Sequence, residues 1–393
     1  MEKLKREGAL ERIGSMDDGE YSFPYCPYEE CPCHYLGPEE PYTYFEDWGS
    51  YDTKAFGEVP RFRCLVCRHT FSTQTFRVDY YAKRVIDYSD LLLRLAATSS
   101  LSAIGRAISA STDTVSNRIS RASRQALAFE SRLSRTRRPS EDLAADGFES
   151  FCVSQYFPNN ITILVGSESQ FVYAADHVTL RRKGRMTEKQ RAKRAELERR
   201  FKADPRGIER SFSRIATESL HLLSDEARPA LSLWTDEHQA YPRGIASSPC
   251  ASALQSIGRL VHRTVSSRAA RTRANPLFPV NYLDRELRKD LHEHVRESVC
   301  FGRNVNRQME RLSLYLFYHN YLKKHRTRWG PITHAAVAGY EAGQIADELE
   351  WIWEKRAMLS LTDLTEIGEE SWMRGRRTPL RRESDYLPKY AVA

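Results

Sequence analysis

The spacing of apolar residues changes character along this chain. Up to about residue 78, aromatic and β-forming residues alternate with cysteines and turn formers, a texture of short hairpins. From Tyr88 the pattern turns helical, and residues 101–119 carry helix-turn-helix spacing. Ile104 and Ile108 face inward on the first helix, and Gly105 is the small residue where two helices approach. Ser109-Ala110-Ser111 supplies a turn with a Ser N-cap, and Val115 and Ile119 lie at i, i+4 on the next helix. Beyond Pro139 come three strand-like runs, at 143–153, 160–166 and 170–175, separated by turn residues. A helical stretch at 187–202 and a helix at 208–223 follow, and then a short buried strand that ends on Asp236. An amphipathic helix from Asn281 has Leu287, Leu291 and Val295 on its packed side, with Asp284 in its first turn.

No apolar stretch is long enough to span a membrane. Residues 91–97 are interrupted by Arg94, and residues 312–322 by His319 and Asn320. The first seven residues go straight into mixed charge with no apolar segment of a signal peptide, so a cytosolic chain is expected. Its 393 residues suffice for two or three domains, and its formal net charge of +8 is concentrated. Between Arg118 and Arg138 seven arginines face the single acid Glu130, and between Arg181 and Arg210 thirteen Lys or Arg face five acids. Two such runs point to a polyanion, and beside a helix-turn-helix they point to nucleic acid. Thr112, Asp113, Ser116, Asn117 and Arg118 are the outward positions of the second helix, with Arg121 further along, all able to touch bases or phosphates.

Five of the eight cysteines fall in the first 67 residues. Cys26 and Cys31 are followed, after about thirty residues, by Cys64-Leu-Val-Cys67. In a reducing compartment such a cluster reads as metal before disulfide. Two thiolate pairs on two knuckles surround one structural Zn²⁺ tetrahedrally, and the ion replaces the core that so short a segment cannot build. Cys33 and His34 compete with Cys31 for the fourth position, whereas Cys152, Cys250 and Cys300 are isolated.

Three strands, a helix and a fourth strand are the order of an RNase H-like core, in which carboxylates on the first and fourth strands lie side by side and a later helix brings a third. Asp146 and Asp236 take the first two positions. Asp284 is the leading third acid, Glu286 the second choice, with Asp290 and Glu297 further along. Cleaving or transferring a phosphodiester uses two divalent ions about 3.5–4 Å apart, and hard Mg²⁺ is held by a few converging carboxylates.

Four stretches of this sequence resemble the bacterial insertion-sequence DDE/D transposases that carry a zinc ribbon and helix-turn-helix ahead of an RNase H-like core. They are the cysteine pattern ending Cys64-Leu-Val-Cys67-Arg-His-Thr-Phe-Ser, the Ile104 to Arg118 segment, Thr235-Asp236-Glu-His-Gln-Ala-Tyr-Pro, and Asn281-Tyr-Leu-Asp284-Arg. The third is similar to a Thr-Asp-Gly-His-x-x-Tyr form, and the fourth to Asn-x-x-Glu-Arg with Asp in place of Glu. The resemblance implies that Asp146, Asp236 and Asp284 hold two Mg²⁺ (or Mn²⁺) ions for cleavage at transposon ends and strand transfer into target DNA. It also implies that the N-terminal modules bind terminal inverted repeats, that the chain works as a homodimer or larger assembly, and that it sits in the prokaryotic cytoplasm at the nucleoid.

The expected architecture is a multidomain α+β protein. It comprises an N-terminal tail (1–20), a zinc ribbon (21–78), a helix-turn-helix domain (79–138), an α/β RNase H-like domain (139–310) with a mixed five-stranded sheet flanked by helices and a basic insertion at 180–207, and a helical extension (311–393). Two rival functions share these parts: a transposase-derived DNA-binding regulator without catalysis, and an RNase H-like nuclease without strand transfer. Trp329, Trp351, Trp353 and Trp372 of the extension read as core or subunit-contact residues.

Overall fold

The computed structural model describes residues 26–35, 44–134, 140–220, 230–295, 300–326, 330–356, 364–382, 387 and 389–391. It is a mixed α+β structure that divides into two compact units. One comprises Met1–Tyr88, Glu348–Met358 and Tyr386–Ala393, and the other Ser89–Asp347 and Leu359–Asp385. Among the described residues no helix is long and apolar enough to cross a membrane.

The first unit is an antiparallel meander of β1 (Phe45–Thr53), β2 (Gly57–Cys64) and β3 (Thr70–Ser72). The register puts Phe45 opposite Cys64 and Phe62 opposite Phe71. Those aromatics, with Tyr44 and Phe76, pack on the buried cysteines to make a small core. Part of the chain's C-terminal region returns here: the Val78 N–H donates to the Glu354 carbonyl, the Arg356 N–H donates to the Phe76 carbonyl, and Trp353 stacks on Tyr88. Residues 311–393 are therefore not one appended extension.

α1 (Tyr88–Ala96), α2 (Leu101–Ala107) and α3 (Thr112–Ser134) follow. The Ser100 and Ser111 hydroxyls cap α2 and α3, accepting from the N–H groups of Ala103 and Thr114. A Cβ on Gly105 would meet the Ala110 carbonyl oxygen at 2.6 Å, so only glycine lets the turn close on α2. Ile104, Val115 and Ile119 are buried as the pattern predicts. The helix-turn-helix is not set apart from the sheet, because α3 continues for 23 residues into the second unit's interior.

That interior is built on a five-stranded sheet. β4 (Leu143–Cys152), β5 (Ser154–Gly166) and β6 (Val172–Thr179) form an antiparallel meander, as expected from three successive apolar runs with short turns. The basic α4 (Glu188–Glu198) and then α5 (Gly207–Leu220) lead to β7 (Leu231–Thr235), which pairs parallel to β4 with Leu143 opposite Leu233. α6 (Ala240–Ser247) and α7 (Pro249–Ser256) precede β8 (Leu260–Thr264), parallel to β7, so the strand order is β6-β5-β4-β7-β8. Leu143, Ala145, Leu164, Leu231 and Leu233 meet Phe212 and Ile215 of α5 and Tyr241 and Ile245 of α6 on one face. α8 (Phe278–Asp290) and α9 (Val305–Phe317) are succeeded by α10 (His334–Val337), α11 (Ala342–Trp351) and α12 (Glu366–Met373).

The arginines of α3 explain its burial. Arg124 is buried, donating to the Trp372 carbonyl (2.6 Å from Nη2) and lying 3.5 Å from Glu310 of α9. Glu310 also accepts from Ser120 (2.7 Å), Arg307 (3.0 Å) and Arg374 (3.2 Å), so this interior carboxylate is fully paired. Trp372 is buried beside Arg124. Trp329 and the side chain of Trp351 lie outside the described residues, as do residues 1–20 and Arg135, Arg137 and Arg138.

Candidate functional site

The four cysteines singled out by spacing converge. Cys64 ends β2 and Cys67 lies in the following turn, where Arg68 takes a left-handed conformation and donates its N–H to the Cys64 carbonyl. Cys26 and Cys31 come from the other knuckle. All four Sγ atoms lie within 4.8 Å of one another, with Cys26 and Cys67 3.6 Å apart and Cys31 and Cys64 3.8 Å apart. The hydrogen bond with Cys26 holds the Cys64 thiol down at about 4 against the effect of burial, and the same bond together with burial pushes the Cys26 thiol up. Four converging sulfurs, one already inclined to ionise, fit a tetrahedral thiolate-binding ion and leave it no open position. Cys33 is buried but outside this quartet, and His34 Nδ1 lies 2.7 Å from the Cys26 carbonyl oxygen, where it braces the knuckle.

In the second unit the sheet brings the acids together. Asp146 lies on β4 and Asp236 directly follows β7, the parallel neighbour of β4. Asp146 Oδ1 accepts from the Gly147 N–H (2.7 Å) and the Tyr241 hydroxyl (3.3 Å), and Asp236 Oδ1 accepts from the His238 N–H (2.8 Å). Burial raises the Asp146 carboxyl above the usual range, the Gly147 bond opposes this, and the charge of Asp236 adds to it.

Asp284 stands in the second turn of α8, not the first as the pattern suggested, because the helix starts earlier with Pro279 near its N-terminus. Stabilising the helix terminus is therefore not its role. Burial, reinforced by the charge of Asp146, pushes its carboxyl up to about 8, while Arg288 and Arg271 pull the other way. Its Oδ1 is buried with no hydrogen-bond partner. Glu286 points elsewhere: burial is outweighed by hydrogen bonds from Lys289 (2.8 Å) and Lys323, which hold it below its ordinary range. Asp290 accepts from the Tyr315 hydroxyl (2.7 Å), and Glu297 lies outside the described residues. Of the candidate third acids described, Asp284 is the one raised by the charge of Asp146.

The carboxylate oxygens do not all fall within 4.8 Å of one another as the sulfurs do. Carboxylates are the hard oxygen donors that a divalent ion takes, and one buried oxygen among them, on Asp284, is unpartnered. Two neighbours were not foreseen. Tyr241 belongs to the Thr235-Asp236 motif and could have been found from it. Arg271 carried no signal, because it stands exposed in an irregular connection, from which its charge lowers both Asp146 and Asp284.

The outward face expected on α3 needs correction. Thr112 and Asp113 are exposed and Ser116 and Asn117 half-buried, but Arg118 and Arg121 are buried. Arg121 Nε donates to Asn117 Oδ1 (3.0 Å), and the Ser116 carbonyl accepts from Arg307 (3.1 Å). Among the described arginines of the first basic run, Arg118, Arg121 and Arg124 are thus interior, whereas α4 of the second run is exposed apart from Leu197 and a few half-buried positions. No protein-family model matches this chain, and no curated protein matches it.

Proposed function

We propose that this protein is a DDE/D-type DNA transposase that binds element ends and carries out metal-dependent DNA cleavage and strand transfer. The observation that carries the reading is the set Asp146, Asp236 and Asp284, drawn from two adjacent parallel strands and a helix, with Asp284 buried and lacking a partner for one oxygen. The strand order β6-β5-β4-β7-β8, with β4 to β6 antiparallel and β7 and β8 parallel to β4, supports an RNase H-like core. The four-cysteine knuckles support a structural zinc ribbon.

Asp146, Asp236 and Asp284 would hold the Mg²⁺ pair, which when bound supplies activation of the attacking oxygen and stabilisation of the leaving oxygen. Tyr241 orients Asp146 through its hydroxyl, and the His238 N–H fixes the Asp236 carboxylate. Arg271, placed to act on Asp146 and Asp284, offers positive charge to the phosphate that brings its own negative charge among them. No protein nucleophile is required, since water and then a DNA 3′-hydroxyl attack phosphorus in line.

The test is to sequence the DNA on either side of the gene for inverted repeats and to measure Mg²⁺-dependent nicking and strand transfer on DNA that carries them. Asp236→Asn is expected to abolish both reactions and leave end binding within about twofold. Nicking by the Asp236→Asn protein would sink the assignment, and nicking without strand-transfer products by wild type would make the protein a nuclease.

A further inference from the structure

The residues after Asp236 open onto a wide hollow of the second unit. A groove of about 1540 Å³ runs from His238, Gln239 and Arg243 between the start of β5 and the basic insertion. The insertion packs on the sheet through Phe201, edge-on against Phe157 of β5 at 5.6 Å, and is braced internally by Arg194 Nη1 donating to the Arg182 carbonyl (3.1 Å) and by the Thr187 cap of α4.

Charge in the groove is divided into spent and available cations. Arg181 is paired with Glu198 at 2.7 Å, and Arg206 with Glu209. Lys183, Arg199, Lys202 and Arg243 also line it, are exposed, and have no acidic partner within 4 Å among the described residues. Between these cations lie three half-buried rings, Phe151, Tyr156 and Phe301, and the Arg182 guanidinium sits 5.1 Å over the Tyr156 ring. A duplex offers such a surface only phosphates and leaves the rings unused. Cations interleaved with aromatic faces match an unpaired strand, whose phosphates meet the cations while its exposed bases stack.

We propose that this groove is a single-strand track that holds unpaired DNA leading away from the phosphodiester at Asp146, Asp236 and Asp284. The proposal rests on the phosphoryl-transfer reading for its orientation, but the binding it predicts needs no catalysis. An end-cleaving reaction on duplex DNA must open base pairs to bring one strand to the acids, and the groove gives the separated strand a place next to Asp236.

The experiment uses the full zinc-loaded chain without added Mg²⁺, and measures fluorescence anisotropy with a labelled oligothymidylate and, separately, a blunt duplex of equal length. Lys183→Glu combined with Lys202→Glu is expected to weaken oligothymidylate binding at least about tenfold and to lower the slope of log affinity against log salt by about 1.4, two single-strand phosphates' worth. Tyr156→Ala is expected to lose about tenfold or more on oligothymidylate through stacking. Both variants should bind the duplex within about twofold of wild type and keep its melting temperature. Unchanged oligothymidylate affinity overturns the proposal, and so does an equal loss on duplex. A protein that binds the single strand through these residues yet never nicks DNA with Mg²⁺ refutes the transposase reading alone. One that nicks DNA while its single-strand affinity ignores Lys183, Lys202 and Tyr156 refutes the track alone.

Discussion

Asp284 and Glu286 are two residues apart on one helix and have opposite environments. Lysines satisfy Glu286, whereas Asp284 is held beside Asp146 with one oxygen unpartnered, an arrangement that costs stability and that no packing need explains. Asp284→Asn removes a carboxyl that the unfolded chain keeps ionised and that folding must protonate near neutral pH, so it should raise the melting temperature in Mg²⁺-free buffer, by about 2–4 °C for each kcal/mol recovered, while abolishing nicking. A fall in melting temperature would mean that the carboxylate is structurally satisfied. Glu310 gives the reverse case. Glu310→Ala strands Arg124 in the interior and should destabilise the second unit by about 3–5 kcal/mol in denaturant titration, with no special effect on nicking beyond the loss of folded protein. The sequence makes the acids legible because each lies in a short local pattern. It misplaces Arg118 and Arg121, because an arginine on a polar-looking helix reads as exposed unless the element that covers it is known, and Arg307 and Glu310 of α9, which bond the neighbouring Ser116 and Ser120, lie nearly two hundred residues away.

Elements were easier to read than their neighbours. β4, β5, β6 and β7 follow from apolar runs between turn formers, and α2 and α3 from serine caps around a glycine. β8 is harder to read, because its five residues have only Leu260 fully buried and carry Arg263 and Thr264 toward solvent. The start of α8 was missed because Phe278-Pro279 precedes the polar positions that looked like a first turn. Gly105 allows a test of the α2 to α3 turn. Gly105→Val puts side-chain atoms against the Ala110 carbonyl and should cost about 1–3 kcal/mol. If α3 presents Thr112 and Asp113 to DNA, the same variant should lose duplex binding while keeping its zinc content, read by metal analysis of the purified protein.

At the scale of the whole molecule, the two units depend on different forces. The first has a small aromatic core around four cysteines, so stripping its metal with a strong chelator should abolish its cooperative structure and leave the second unit's sheet and helices intact by circular dichroism. Cys64→Ser should reproduce that loss, and Cys33→Ser should retain one zinc per chain. The second unit buries histidines, and burial holds His177 and His294 at about 3 and His334 at about 4. The unfolded chain protonates these groups near 6.5, so it binds more protons than the native state at every pH between those values. The contribution of these rings is accordingly full above about pH 6.5 and is lost as pH falls toward 4, opposite in sign to that of Asp284, whose raised carboxyl favours the native state as pH falls below about 8. His294→Gln should therefore lose less melting temperature than wild type between pH 7 and pH 5. An equal change in the two proteins would contradict neutral burial of His294.

The pairing of Arg124 with Glu310 also bears on synthesis. A ribosome emits α3 long before α9, and until α9 arrives Arg124 has no carboxylate to enter the interior with. The helix on which we propose the DNA contacts is therefore completed by a segment made after all three acids. Prematurely terminated chains that stop short of residue 305 should neither occupy DNA ends nor cut them. Incomplete products would then be inert, neither dominant competitors nor uncontrolled nucleases.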